Sequence, residues 1–158
     1  MAKKLPFKAD EAHDSPGFLL WQVTTLWQRH IAAVLHPYAL TQTQFALLAS
    51  ILWLSQRTTE IRQVTLARHA KLDVMMTSQV LRTLERRGFL TRTVHPDDPR
   101  AKSLALTKKG TALTLTVIPL VEDADQVFFA DLAKQQTSFM RDLQHLITAS
   151  VTRSSAGA

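Results

Sequence analysis

Apolar residues recur at helical spacing along most of the chain, and residues that start or stop helices bound each run. In the first run, Ser15 and Pro16 stand where an N-cap and a first helical residue are expected, and Pro37 ends the segment. A second helix is predicted from Thr41, which forms a capping-box pattern with Gln44. The positions that recur in the first helix are Leu19, Leu20, Val23, Leu26, Trp27, His30, Ile31 and Val34.

The middle of the chain predicts two short helices, a tight turn between them and a β-hairpin after them. The short helices are VTLARHAK and VMMTSQVLRTLERR, with Asp73 placed to cap the second and Gly88 to end it. The stretches LTRTV and SLALT predict the strands of a hairpin from Phe89 to about Leu106. This order of elements is typical of a winged helix-turn-helix.

The C-terminal third is predicted to be helical. Thr107 is the expected N-cap of a long segment in which Pro119 predicts a kink or a break. The fold class is therefore mainly α with a small β-hairpin wing (α+β), in which a winged helix-turn-helix core is flanked by N- and C-terminal helices. The predicted parts are a flexible arm at 1–14, an N-terminal helix at 15–36, the winged helix-turn-helix at 38–107, C-terminal helices at 108–153 and a disordered tail at 154–158.

Composition narrows the class of protein. With 46% hydrophobic residues the chain should be globular, and with no cysteine it has neither disulfides nor thiolate metal sites. The N-terminal residues contain no apolar core of a signal peptide, and no apolar run approaches the roughly 20 residues of a membrane span. A cytoplasmic protein without membrane contacts is expected.

The positive charge lies in one part of the chain. Residues 56–110 contain twelve Lys and Arg residues against five acids, a net charge of +7, and the whole chain carries +6. A basic surface that only contacts water is one explanation. The concentration of charge in one segment favours a polyanion as partner, most simply nucleic acid.

The second short helix is predicted to have two different faces. At 100° per residue, one side would pack on the core and the other would present long polar side chains, as a helix in the DNA major groove must. Glutamine suits adenine and arginine suits guanine in bidentate contacts. The packing side holds Asp73, Thr77, Val80, Leu81 and Leu84, and the outer side holds Met75, Gln79, Arg82 and Arg86.

A plainer interpretation of that outer side is an ordinary solvated helix face, which a helix considered alone would favour. The basic segment and the hairpin argue against it. Met75 and Met76 fit either contact with a thymine methyl group or packing beside a neighbouring helix.

The hairpin tip combines stiffness with charge. Pro96 and Pro99 restrict the backbone, and Asp98 is placed to hold the guanidinium of Arg100. One guanidinium at such a tip can enter a narrow minor groove, where the negative potential is concentrated. The lysines expected to meet phosphates are Lys102, Lys108 and Lys109.

Several motifs in order resemble the multiple antibiotic resistance regulator (MarR) family of winged-helix transcription factors. They are LTQTQFALL, LARHAKLD, VLRTLERRGFLTR and DPRAKSLALTKKG. Arg62 departs from the pattern, since it stands where the family often has a helix-capping threonine. The resemblance implies a repressor that binds an inverted-repeat operator as a homodimer. The predicted DNA-binding residues are Met75, Met76, Ser78, Gln79, Arg82, Arg86, Asp98, Arg100, Lys102, Lys108 and Lys109.

The resemblance also implies ligands and an assembly. Small aromatic effectors of the family bind between the dimer helices and the DNA-binding lobe, so Trp21, Trp27, His30 and Trp53 are candidates to line such a pocket, with core packing as the alternative. The terminal helices independently favour a homodimer, because they carry more apolar residues than one small domain can cover. The six histidines are scattered, so neither a metal nor another cofactor is expected.

Two other functions compete with DNA binding. A winged-helix module that binds only proteins would suit an apolar or acidic outer stripe on the second short helix, whereas Gln79, Arg82 and Arg86 occupy it. An enzyme would need a catalytic motif, and the sequence has no Gly-rich phosphate loop, no Gly-x-Ser-x-Gly and no HExxH.

Overall fold

The computed structural model describes residues 11–95 and 98–156, with side chains for residues 11–94 and 103–153. The described part contains six α-helices and one antiparallel hairpin, and the chain divides after Ala124 into two compact units. The predicted fold class, mainly α with a β-hairpin wing, is confirmed. The elements are α1 (Pro16–Leu35), α2 (Gln42–Ser55), α3 (Gln63–Ala70), α4 (Val74–Arg86), β1 (Leu90–His95), β2 (Asp98–Leu106), α5 (Lys108–Phe129) and α6 (Gln136–Ala156).

Local signals in the sequence set the helix ends. The Ser15 hydroxyl accepts from the Phe18 amide at the start of α1. At the start of α2, Thr41 and Gln44 each accept from the other's backbone N–H, at 3.2 and 3.1 Å. Gly88 follows α4 with φ +75°, the left-handed conformation that glycine adopts without a Cβ penalty. Each of these predicted caps is confirmed.

The core of the first unit joins all of its elements. Helix α1 contributes only its last two turns, whereas α2, α3 and α4 each bury one face. Both strands and α5 close the remaining side. The largest fully buried side chains are Ile31, Leu35, Leu47, Leu48, Ile51, Leu66, Leu81, Leu84, Leu90, Val117, Thr77 and Thr114.

The hairpin is anchored at its base. Leu90 pairs with Leu106 there, and the register holds to Val94 opposite Lys102 before a bulge places His95 opposite Asp98. The Leu104 amide also donates to the Ile61 carbonyl at 2.9 Å, so the loop before α3 joins the sheet edge. Two contacts with separate parts of the fold therefore fix β2.

Two predictions at helix boundaries need correction. Of the kink or break predicted at Pro119, the break is absent, because α5 continues through this residue. Val117 and Val121 on either side are buried, and their burial offsets the hydrogen bond that a proline removes. At the other end, α6 extends to Ala156, into the tail predicted as disordered at 154–158.

The N-terminal arm and Arg62, which precedes α3, were also the subject of predictions. The arm predicted at 1–14 lies outside the described residues up to Asp10, and Ala12–Asp14 form a 3-10 turn. Arg62 precedes α3 without a side-chain cap, and its Nε donates to Glu60 at 2.6 Å instead.

The second unit consists of helices whose described side chains are exposed or half-buried. It holds the end of α5, a 3-10 segment at Ala130–Gln135 and α6. Phe129 contacts Phe128 edge-on at 5.1 Å and Phe139 at 6.1 Å. Among residues 125–153 no side chain is buried. None of the helices in the described ranges is long and apolar enough to cross a membrane.

Candidate nucleic-acid interface

The turn between α3 and α4 is built from short-range contacts. Lys71 ends α3 with φ +55°, and the Leu72 amide donates to the Ala67 carbonyl at 3.0 Å. The Asp73 carboxylate then accepts from the amides of Met75 and Met76 at 2.8 and 3.0 Å. This capping fixes the start of α4 and presents its first turn at the surface.

Of the packing side predicted for α4, Thr77, Leu81 and Leu84 are buried, whereas Val80 is half-buried and the capping residue Asp73 is exposed. Thr77, Leu81 and Leu84 are completely buried, and the Thr77 hydroxyl is satisfied by the Asp73 carbonyl at 2.7 Å. On the opposite face Met75 is 76% exposed. The other exposed side chains of that face are Met76, Gln79, Arg82 and Arg86, with Ser78 half-buried at its margin.

The side-chain hydrogen bonds of the two arginines on this face stay within α4. Arg82 donates to the Ser78 hydroxyl at 3.3 Å, and Arg86 donates to the Thr83 hydroxyl at 3.2 Å. A guanidinium carries five N–H donors, so one such contact aligns the side chain while most donors stay available. The face can therefore donate hydrogen bonds to an external acceptor without losing contacts that stabilise the fold.

An ion pair fastens the wing to α4. The Arg92 guanidinium, on β1, reaches one Glu85 carboxylate oxygen through Nε at 2.7 Å and through Nη2 at 2.5 Å. Arg92 is largely buried, which raises the cost of losing its partner. The predicted tip residues Asp98, Arg100 and Lys102 lie outside the described side chains, so their placement there follows only from the backbone of β2.

Two neighbouring lysines at the start of α5 differ in their contacts. Lys108 is exposed. The Lys109 ammonium donates to the Arg87 carbonyl at 3.1 Å and lies 4.7 Å from the centre of the Phe89 ring. The sequence grouped both as phosphate contacts, but Lys109 also joins the start of α5 to the end of α4.

Sequence analysis missed the residues that connect α4 to the rest of the fold. Arg87 bonds acceptors 43 to 49 positions away, and Glu85 pairs with Arg92 across the exit turn. Gly110 fits against the Phe89 carbonyl, which an added Cβ would meet at 1.8 Å. Arg87 and Gly110 lie in the sequence motifs RRG and TKKG, but only the contacts in the fold show their roles.

The four aromatic candidates lie in different surroundings. Trp21 stacks on Phe18 at 5.8 Å and is 63% exposed, and Trp53 lies 3.6 Å from the Arg57 guanidinium and is 53% exposed. Trp27 packs partly against the core, and His30 is half-buried. In the described part of the chain, no three His, Asp or Glu side chains are grouped as metal ligands.

The fold and the surface together define a winged helix-turn-helix protein in which α4, the second helix of that motif, is basic and exposed. The MarR family model matches residues 40–102. YdcH of Bacillus subtilis, described as an uncharacterized HTH-type transcriptional regulator, is 41% identical over 133 residues, which cover 84% of this chain and 90% of YdcH. The chain belongs to the MarR family of transcription regulators, which are not enzymes, as its motifs predicted.

Solved structures extend the comparison to complexes. A MarR family protein of Mycobacterium tuberculosis, in complex with salicylic acid, is 33% identical with a TM-score of 0.63, over 87% of this chain and 98% of that one. A mutant MarR from Escherichia coli, in complex with operator DNA, is 25% identical with a TM-score of 0.73, over 83% and 91%. The likeness covers both units of the chain.

Proposed function

We propose that this protein is a cytoplasmic repressor that binds an inverted-repeat operator as a homodimer and leaves it when a small effector binds. The observation that carries the proposal is the division of α4 into a completely buried face and an exposed face of Gln79, Arg82 and Arg86. A DNA-binding helix needs both, because the buried face holds it rigidly while the exposed donors reach base edges. The operator complex of the related E. coli protein supports the same conclusion.

In this proposal the predicted residues divide into three groups. The outer face of α4, from Met75 to Arg86, enters the major groove, where Gln79 and Arg82 select bases. Arg100, oriented by Asp98, enters the adjoining minor groove from the wing tip. Lys102 and Lys108 contact phosphates, and Lys109 adds to this field while it supports the exit of α4.

The dimer follows from surfaces that one chain leaves uncovered. No side chain of residues 125–153 is buried, although α6 carries Met140, Leu146 and Ile147, each about half exposed. Helix α1 exposes Leu19, Leu20 and Leu26 as well. A second copy would cover these faces with two-fold symmetry, the commonest arrangement of identical chains.

The effector is proposed to be a small aromatic molecule. Exposed Trp21 and Trp53, together with Trp27 and His30, offer ring surfaces and polar contacts for such a ligand. The related M. tuberculosis protein was solved with salicylic acid, a molecule of this class. Loss of operator binding on adding aromatic acids would support this part of the proposal.

Selection of bound sequences from a random DNA pool tests the function directly. We expect an imperfect inverted repeat whose half-site centres lie about 10 base pairs apart, because two-fold related helices enter successive major grooves about 34 Å apart. Arg100→Ala should weaken binding to the selected site by roughly 1–3 kcal/mol. Lys134→Ala, a basic residue of the second unit, is the control and should change little.

Two results would contradict this function. Recovery of no preferred sequence, with protein partners captured instead, would favour a module that binds proteins. A preferred sequence without two-fold symmetry would leave DNA binding intact but remove the homodimer from the proposal.

A further inference from the structure

Arg87, directly after α4, connects this helix to a distant part of the chain. Its Nη1 donates to the Ala39 carbonyl at 2.8 Å and to the Gln44 side-chain oxygen at 3.2 Å, and its Nη2 donates to the Tyr38 carbonyl at 3.5 Å. Tyr38 and Ala39 lie in the junction between α1 and α2, and Gln44 lies in the first turn of α2. Hydrogen bonds from a charged donor are stronger and more directional than neutral ones.

The junction that Arg87 contacts is itself rigid. His36–Tyr38 form a 3-10 turn, and Ala39 follows it with φ +50°. Leu35 and Leu40 on either side are buried in the core. Gln44 accepts from the Thr41 amide as well as from Arg87, so the guanidinium is attached to the capping box that begins α2.

The other side of Arg87 faces the start of α5. Its carbonyl accepts from Lys109, and its guanidinium and the Lys109 ammonium both lie on the Phe89 ring, at 4.8 and 4.7 Å from the ring centre. The Phe89 carbonyl accepts from the Thr107 amide at 3.0 Å. Arg87 thus joins the end of α4 to the α1–α2 junction and to the first turn of α5.

We propose that Arg87 is a positioning residue that fixes the orientation of α4 relative to α1, and thereby sets the half-site spacing that the dimer accepts. The inference rests on the proposed function, in which α4 enters the groove and α1 belongs to the dimer interface. One base pair more or less between the half-sites moves them by about 3.4 Å and rotates them by about 35°. A helix whose C-terminal end is fastened to the α1–α2 junction and to α5 cannot follow that change, whereas a helix held by its core face alone can adjust.

Spacing discrimination is the measurement that separates this role from simpler ones. Wild type and Arg87→Lys are compared on three DNA duplexes that carry the selected half-sites at the native spacing and at one base pair more and less. Lysine keeps the charge but offers a single ammonium instead of a planar fork, so it cannot reach three acceptors together. We expect the preference for the native spacing to fall at least about threefold, a coupling change of the usual size for such networks.

Two matched variants sharpen the comparison. Gln44→Glu keeps an acceptor for both Arg87 and the Thr41 amide, so it should retain the wild-type preference. Arg86→Lys alters the adjacent arginine, whose recorded contact stays within α4, and should lower affinity at all three spacings by the same factor. If Arg87→Lys is too unstable to compare, Gln44→Ala removes one acceptor while Arg87 stays, and a reduced preference is again expected.

The outcomes distinguish the possible failures. An Arg87→Lys protein with the wild-type preference overturns the positioning role and leaves the proposed function intact. Equal weakening at every spacing would instead make Arg87 a contact that adds affinity without selecting the spacing, and it also overturns the role. A wild-type protein that does not bind an inverted repeat refutes the proposed function, and this inference with it.

Discussion

Helices α4 and α6 both expose side chains to solvent, but the chemistry of their exposed surfaces differs. The exposed face of α4 carries Gln79, Arg82 and Arg86 beside two methionines, and Thr77, Leu81 and Leu84 on the opposite face are completely buried. Helix α6 has no buried side chain among its described ones and exposes Met140, Leu146 and Ile147. Water can solvate the basic face of α4, and a polyanion can take its place. The exposed apolar side chains of α6 are instead typical of a surface that binds another protein. The first unit therefore has a buried core of its own, whereas none of the described side chains of the second unit is buried.

The largest effect should come from breaking the apolar face of α6. Leu146→Glu combined with Ile147→Glu, or deletion of the chain from Thr137, should dissociate the dimer and weaken operator binding by at least about 100-fold, since one half-site supplies too few contacts. Gln144→Glu adds one charge to an exposed position of the same helix and serves as control. Analytical ultracentrifugation and fluorescence anisotropy measure the two effects. A monomer that retained wild-type affinity would contradict the assignment of α6 to the dimer.

A second change tests how closely the start of α5 packs against Phe89 in the first unit. Gly110→Ala places a Cβ 1.8 Å from the Phe89 carbonyl oxygen, so the start of α5 must shift. We expect a loss of roughly 1–3 kcal/mol in the free energy of unfolding, the usual cost of overpacking. Gly17→Ala is the matched control, because nothing lies within 4 Å of its added Cβ. Urea denaturation of both variants compares them, and equal stabilities would show that the contact relaxes at no cost.

How much of this the sequence reveals depends on the range of the interactions. The caps at Ser15, Thr41 and Asp73 and the left-handed Gly88 are set within four residues, so motifs predict them. The two faces of α4 also follow from periodicity. Continuity of α5 through Pro119 does not, because burial on both sides of the proline outweighs its local preference.

Long-range contacts set the limit of sequence analysis at the candidate site. Nothing in the repeated arginines indicates that Arg86 stays on its own helix while Arg87 reaches Tyr38 and Ala39. Lys108 and Lys109 are equivalent in the sequence in the same way, yet only Lys109 has a recorded contact with the α4 exit. Neighbouring residues of one type thus acquire different roles from the fold around them.

A third test separates base selection from phosphate attraction on the basic surface. Arg82→Ala should change the preferred base at particular operator positions, at a cost of roughly 1–3 kcal/mol for the wild-type sequence. Lys108→Ala should weaken all sequences alike and reduce the slope of log affinity against log salt by about one. Lys109→Ala should show the same salt effect together with lower stability, because it also loses its contacts to Arg87 and Phe89. Selection experiments and salt titrations provide the data, and an unchanged motif for Arg82→Ala would place it among the phosphate contacts.

The smallest effect is expected at the junction between α1 and α2, which links the apolar and the basic surfaces. Ala39 has φ +50°, a conformation that costs a residue with a Cβ about 1–2 kcal/mol. Its methyl group is exposed, so Ala39→Gly removes little packing, but the glycine adds about 0.5–1 kcal/mol of unfolded-state entropy. The net result should be a gain of about 0.5 kcal/mol in the free energy of unfolding.

Ala46→Gly, within α2, is the control and should instead lose about 1 kcal/mol. Because the Ala39 carbonyl still accepts from Arg87, spacing discrimination by Ala39→Gly should match that of wild type. Destabilisation by Ala39→Gly would mean that the left-handed turn is held by its side chain rather than by the hydrogen bond from Arg87.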